Sequence, residues 1–150
     1  MPKIVHADTA TMINVMGRLD IFENSSRIEL QRMFVEDTLV FMYEKGEYII
    51  TKGDLDSSFF IILSGSVVIM NNKEIMARVK SGKFIGEMSF LTKEPRTANA
   101  IASERTLVLR IEDSVMGHLH VQVIDKIKDK IIQRLVRHIK KMNDLLDPSK

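Results

Sequence analysis

The chain has 150 residues, 45% of them apolar and 28% charged, with no cysteine and with 22 Lys and Arg against 20 Asp and Glu, a formal net charge of +2. This length and apolar fraction support one domain with a sizeable core and argue against a two-domain enzyme or a disordered chain. The missing cysteine excludes a disulfide scaffold, a thiolate zinc site and a cysteine nucleophile, and the balanced charge demands no polyanionic partner by itself.

Met1 to Ala10 carry no apolar signal core. Thr11 to Arg18, with Met12, Ile13, Val15 and Met16, reads as a short helix. Ser26 and Glu29 have capping-box spacing, so a second helix should follow with Ile28, Leu30, Met33 and Phe34 on its apolar side. Residues 1–37 are therefore expected to be a helical N-terminal segment.

From 38 to 111 the pattern changes to short β-branched and aromatic runs: LVFMY (39–43), EYIIT (47–51), SFFIIL (58–63), SVVIM (66–70), EIMARVK (74–80), TANAIA (97–102) and TLVLRI (106–111). Five of the seven glycines, at 46, 53, 65, 82 and 86, punctuate them. So many short strands predict a roll or sandwich. The longest strongly apolar run, Phe59 to Leu63, falls far short of the roughly 18 residues that span a bilayer.

A third block, 112–146, begins where Glu112 or Asp113 can cap a helix. A short helix is expected around Ser114 to His118, with a join near Gly117 and His118 to His120. One long amphipathic helix then runs to about Leu146, because Ile124, Ile127, Ile131, Leu135, Ile139, Met142 and Leu146 recur at intervals of three and four. The reading is one α+β domain, mainly β, over residues 1–150.

One stretch among the strands, Phe84 to Ala98, is strand-poor. Glu87 to Leu91 can form a helical turn, and Gly86 before it lets a ligand approach the backbone. The amides of Gly86, Glu87, Met88 and Ser89 would converge at the positive end of that turn, which favours an anion. Pro95 fixes the chain before Arg96, whose guanidinium can pair bidentately with phosphate oxygens. The expected result is a small anion cradle with one acid, Glu87, beside it. Taken alone, a Glu and an Arg nine residues apart are more often a surface ion pair contributing less than about 1 kcal/mol.

This segment, 84–98, resembles the phosphate-binding cassette of the cyclic nucleotide-binding domain family, which includes catabolite activator proteins, regulatory subunits of cyclic-AMP-dependent kinase and cyclic-nucleotide-gated channels. The Gly-Glu pair that opens the family's cassette is Gly86-Glu87 here, and the Arg with a small or hydroxyl residue that closes it is Arg96-Thr97. Pro95 precedes the arginine as in kinase and channel members. The upstream string KGEYIITKGDLDSSFFIILSGSVVIM (45–70) matches the family's glycine-punctuated strands, and the resemblance runs from about Leu19 to the end of the long helix.

The resemblance implies an antiparallel β-roll or jelly-roll of about eight strands with an N-terminal helical segment and C-terminal B- and C-type helices, binding one cyclic nucleotide per chain. Glu87 would accept hydrogen bonds from the ribose 2′-hydroxyl and Arg96 would neutralise the cyclic phosphate. The amides of Met88, Ser89 and Thr97 would complete the phosphate's coordination, and Ile69, Met76 and Val79 would line the purine. Ser89 stands where the family usually has alanine, yet it keeps the amide and stays small. Arg137, counted from Arg96 without gaps, falls where channel-like members close an arginine on the purine. Threonine at position 97 occurs in members that favour cyclic GMP and in channel members that prefer cyclic AMP; cyclic AMP is expected to be the better ligand, with cyclic GMP competent.

The implied function is a cytoplasmic regulatory module, not an enzyme and without metal or cofactor, that moves its last helix on binding ligand and signals to a protein partner. Two alternatives stand beside it: a ligand-free module that dimerises through the last helix, and a cupin-like metalloenzyme. His118 and His120 share no helical face and have no carboxylate cluster beside them, so they read as helix-end residues and not as a metal pair. Between Val121 and Lys141 lie seven Lys or Arg and two Asp, with Lys126, Lys130, Arg134, Arg137 and Lys141 in one stripe. That stripe is either a solvated face or a contact with an acidic partner, a membrane surface or the nucleotide. Transcription factors of the family continue into a helix-turn-helix where this sequence has Asp147 to Lys150, so direct DNA binding is not expected.

Overall fold

The computed structural model describes residues 3–4, 9–18, 28, 39–112 and 121–146. In chain order the elements are β1 (Lys3–Ile4), α1 (Thr9–Met16), β2 (Leu39–Tyr43), β3 (Tyr48–Ile50), β4 (Phe59–Ser64), β5 (Ser66–Asn71), β6 (Glu74–Lys80), β7 (Phe84–Ile85), α2 (Glu87–Thr92), β8 (Asn99–Ala102), β9 (Thr106–Ile111) and α3 (Val121–Leu146). The strands form two antiparallel sheets, one in the order β1-β2-β9-β4-β7 and one in the order β3-β8-β5-β6.

Alternation along β4 explains how these layers hold together. Phe59, Ile61 and Leu63 point to one side, where they meet Ile13 and Met16 of α1, Phe90 of α2 and Ile131 of α3. Phe60 and Ile62 point to the other, where they meet Ile50, Val67, Val79, Ala100 and Ala102 of the second sheet. Successive side chains of a strand face opposite ways, so a strand covered by helices on one face and by a sheet on the other must be apolar throughout. Strand β9 follows the same rule, with Leu109 and Ile111 toward the helices and Val108 between the sheets. The architecture is a β-roll whose inner core lies between the sheets and whose outer core lies under the helices.

The seven expected runs all appear as strands, and α1 and α3 as helices. Two short strands, β1 and β7, go beyond that reading; β7 lies inside the stretch that looked strand-poor. Of the expected helix after Ser26 only Ile28 is described, and it is helical. The expected helix at Ser114 to His118, the join after it, and His118 and His120 lie outside the described residues. No helix among the described residues is long and apolar enough to cross a membrane.

Candidate functional site

The site starts where β7 ends. Its pairing with β4 places Ile85 opposite Phe60, and the chain then turns sharply at Gly86, whose backbone is left-handed with φ 81°. A Cβ at this position would sit 2.8 Å from Nη1 of Arg96 and 3.0 Å from Cδ1 of Ile50. Glycine is required here both by the backbone and by the guanidinium packed on it. Gly86 caps α2, which ends at Lys93, also left-handed, whose amide donates to the Ser89 carbonyl at 2.9 Å. Phe90 anchors the helix edge-on against Phe59, with ring centroids 4.7 Å apart. The first-turn amides of Glu87, Met88 and Ser89 therefore belong to a rigid turn and have no acceptor within the helix.

Arg96 is brought over this turn from the far side of the cassette. Its main chain is tied to the loop before β4, the amide donating to the Asp54 carbonyl at 2.8 Å and the carbonyl accepting from the Gly53 amide at 2.9 Å. Its guanidinium is 4% exposed as a residue. Nη1 donates to the Gly86 carbonyl at 2.9 Å, Nη2 donates to the Ser58 carbonyl, and Asp56 Oδ2 lies 3.6 Å from Nη2. Burial pushes its pKa down, opposed by the charge of Asp56. Asp56 is itself fixed: Ser58 donates to it from its hydroxyl at 2.6 Å and its amide at 3.1 Å, and Nη2 of Arg110 lies 3.3 Å away. Partial burial works to raise the pKa of this carboxylate, but the Ser58 hydrogen bonds and the two arginines outweigh it and hold the pKa below its ordinary value.

Glu87 is also buried, at 7% exposure. Its partner comes from α3: Nη1 of Arg134 lies 3.4 Å from Oε1 of Glu87, donates to the Phe84 carbonyl at 2.5 Å, and the guanidinium covers the Phe84 ring at 5.3 Å. Gly86, Glu87, Met88, Ser89, Arg96 and Thr97 line one cleft of about 160 Å³, together with Ile50, Ile69, Ile85 and Arg134. A second cleft of about 490 Å³, between α2 and α3, shares Glu87, Met88 and Arg134 with the first and also includes Arg137.

The structure thus gathers seven of the ten residues singled out from the sequence into one cleft and Arg137 into its neighbour. Val79 is buried and lines a third cleft, between β6 and α3. Met76 lines none of the three; Ile69 pairs with Ala77 and Met70 with Ile75, which makes Met76 the extra residue of a bulge, 61% exposed. Asp56, Ser58 and Ile50 join the site unannounced, and Arg134, noted only as part of a basic stripe, is its link to α3. With a buried guanidinium, three first-turn amides that have no acceptor within the helix and an adjacent carboxylate, the cleft can hold a monoanionic phosphate ester whose sugar carries a free hydroxyl.

The family model described as cyclic nucleotide-binding domain matches residues 40–122. The cGMP-dependent protein kinase of Plasmodium berghei is 31% identical over 91 residues, 54% of this chain and 11% of that protein. The cAMP-dependent protein kinase regulatory subunit of Mycosarcoma maydis is 32% identical over 91 residues, 57% of this chain and 17% of its own length. This chain therefore spans less than a fifth of either relative. Among solved structures, a cyclic nucleotide-binding domain from Methylobacillus flagellatus superposes with TM-score 0.73 at 22% identity, covering 98% of this chain and 89% of that one.

Proposed function

Because the chain belongs to the cyclic nucleotide-binding domain family, we propose that it binds one cyclic nucleotide in the cleft over α2 and acts as a regulatory module, not a catalyst. One observation carries the proposal: Arg96 is nearly sealed from solvent yet lines the cleft, and the carboxylate that pairs with it, Asp56, stands 3.6 Å away and is 40% exposed. A buried cation is costly unless it is fully paired, and a cyclic phosphate seated on the amides of Glu87, Met88 and Ser89 completes the pairing. Two of the five guanidinium N–H bonds go to protein carbonyls, which leaves donors for phosphate oxygens. Thr97 contributes its amide, and Gly86 lets the ring approach.

Glu87 accepts the ribose 2′-hydroxyl in this reading. The cleft of about 160 Å³ is smaller than the roughly 300 Å³ at which small-molecule sites begin. The base therefore extends past Ile69 into the cleft between α2 and α3, where Arg137 closes on it. The single hydroxyl of Thr97 suits adenine and also tolerates a guanine amino group, so cyclic AMP is the better ligand and cyclic GMP is competent.

Ligand and helix are coupled through Arg134. The carboxylate that receives the ribose is the one α3 holds, so binding redistributes the Glu87 contact and shifts α3, whose position a protein partner reads. Thermal unfolding with cyclic AMP, cyclic GMP and 5′-AMP tests the proposal. Ligand at 100 times its dissociation constant adds about 2.7 kcal/mol, which raises the midpoint by about 5 to 10 °C in a chain of this size. Both cyclic nucleotides should do this and 5′-AMP should not. No shift with either would contradict the reading and favour a ligand-free module.

A further inference from the structure

Arg96 is one of two arginines on Asp56, and the second, Arg110, lines none of the three clefts. Arg110 stands on β9 opposite Phe60 of β4. Its Nε donates to the Ser58 hydroxyl at 3.0 Å, and its Nη2 lies 3.3 Å from Oδ1 of Asp56 and 3.2 Å from Oε1 of Glu112. Ser58 joins the two arginines: its hydroxyl donates to the same Oδ1 at 2.6 Å and its amide at 3.1 Å, while its carbonyl accepts from Nη2 of Arg96. The Asp56 carboxylate is thereby divided. Oδ1 collects the Ser58 amide, the Ser58 hydroxyl and Arg110, whereas Oδ2 stands 3.6 Å from Nη2 of Arg96, beyond ordinary hydrogen-bond length. An arginine fork can hold a hydroxyl and a carboxylate at once in fixed directions, which a single ammonium does not.

A buried guanidinium beside a carboxylate that has no other cation closes into an ion pair, and an anionic ligand must then displace the carboxylate. We propose that Arg110 prevents this: it is a positioning residue that holds Asp56 by Oδ1, offsets its charge, and so keeps the Arg96 guanidinium open for the phosphate of the ligand. This role rests on the cyclic nucleotide reading of the cleft and acts through Asp56 alone. The charges agree with it. Arg96 and Asp56 by themselves cancel, whereas the three groups together keep one positive charge. Glu112 sits at the Arg110 end of this chain and is about half exposed, so solvent screens it. Arg110 and Asp56 also oppose each other at Tyr43, whose pKa burial raises, Arg110 lowers and Asp56 raises.

Calorimetric titration with cyclic AMP tests this as a double-mutant cycle. Arg110→Gln should weaken binding by about tenfold, within the usual range for coupled charged neighbours, and Arg110→Lys, which keeps the charge, should recover most of that loss. In the Asp56→Asn background the same Arg110→Gln change should alter affinity by less than about threefold, because the competing carboxylate is gone. An Arg110 that only braces the fold would weaken both backgrounds equally. That result, or unchanged binding by Arg110→Gln, would overturn the proposal. Thermal midpoints without nucleotide show which variants fold. Should Arg110→Gln not fold, Asp56→Asn alone decides: tighter binding than the parent supports a competing carboxylate, and equal or weaker binding overturns it. A parent that binds no cyclic nucleotide would contradict the reading of the cleft itself, whereas a parent that binds while the cycle shows no coupling removes only the role of Arg110.

Discussion

Arg96 and Glu87 are the two charged residues below a tenth exposure among those described, and both face the same cleft. Gly86 holds them in that relation. Gly86→Ala would force an L side chain into a left-handed backbone and press a Cβ to 2.8 Å from the guanidinium; the strain alone costs about 1 to 3 kcal/mol. Gly46→Ala is the matching control, since Gly46 has φ 89° with nothing within 4 Å of the added Cβ. Both should lower the urea midpoint, but only Gly86→Ala should weaken cyclic nucleotide binding, by at least tenfold. Equal binding by the two variants would show that Gly86 does not position Arg96.

Asp56 gives the residue scale a pH signature. Its folded pKa lies below the ordinary value of 3.8, so its contribution is present above that value and is lost as pH falls through the lower folded one. Urea midpoints measured from pH 5 down to pH 3 should therefore fall more steeply in the parent than in Asp56→Asn. The carboxylate is 40% exposed, so the difference is small and salt-screened. Parallel curves would mean that Asp56 is not held by its neighbours.

At the scale of elements, α3 hangs on few contacts. Ile131 is 1% exposed in the outer core and Leu135 packs partly beside it, whereas Ile139, Met142 and Leu146 are 50% exposed or more. Truncating a buried isoleucine to alanine costs about 2 to 5 kcal/mol where the whole fold depends on it. Ile131→Ala should instead release one helix. Amide exchange from 125 to 142 should accelerate while β4 and β9 keep their protection; accelerated exchange throughout the roll would contradict a separately anchored helix. In the parent, cyclic nucleotide should slow exchange from Lys130 to Met142, and no change would remove α3 from the mechanism.

These elements also show what the sequence could reveal. Strands β2, β4, β5, β6 and β9 were legible because each is a run of five or more β-branched, aromatic or alternating residues bounded by turns. Two-residue β7 was not, since two residues have no period, and it is defined by pairing with β4 more than twenty residues earlier. The helical spacing of the apolar residues of α3 is visible in the sequence, and of the described ones the roll covers Ile131 and part of Leu135. Periodicity tells which residues share a face and not what covers it, so the exposure of its C-terminal half could not be foreseen.

For the whole molecule, the cassette was readable because its glycine, glutamate, proline and arginine lie within eleven consecutive residues, 86–96. Its supports were hidden by chain distance. Ser58 reaches Arg96 across 38 residues and Arg134 reaches the Phe84 carbonyl across 50, so only the folded roll brings them together. In the proposed function this closure is what makes a relay: the inner core fixes the cleft, the outer core holds Ile131 of α3, and Arg134 touches both Glu87 and the Phe84 carbonyl. Direct titration of the parent and Arg96→Ala with cyclic AMP tests this account at its centre. The account predicts one site per chain in the parent and a loss in the variant corresponding to about 2 to 5 kcal/mol, the usual result of leaving a buried charge unpaired, with both proteins folded by circular dichroism. Binding by Arg96→Ala within threefold of the parent, or no binding by the parent, would contradict it.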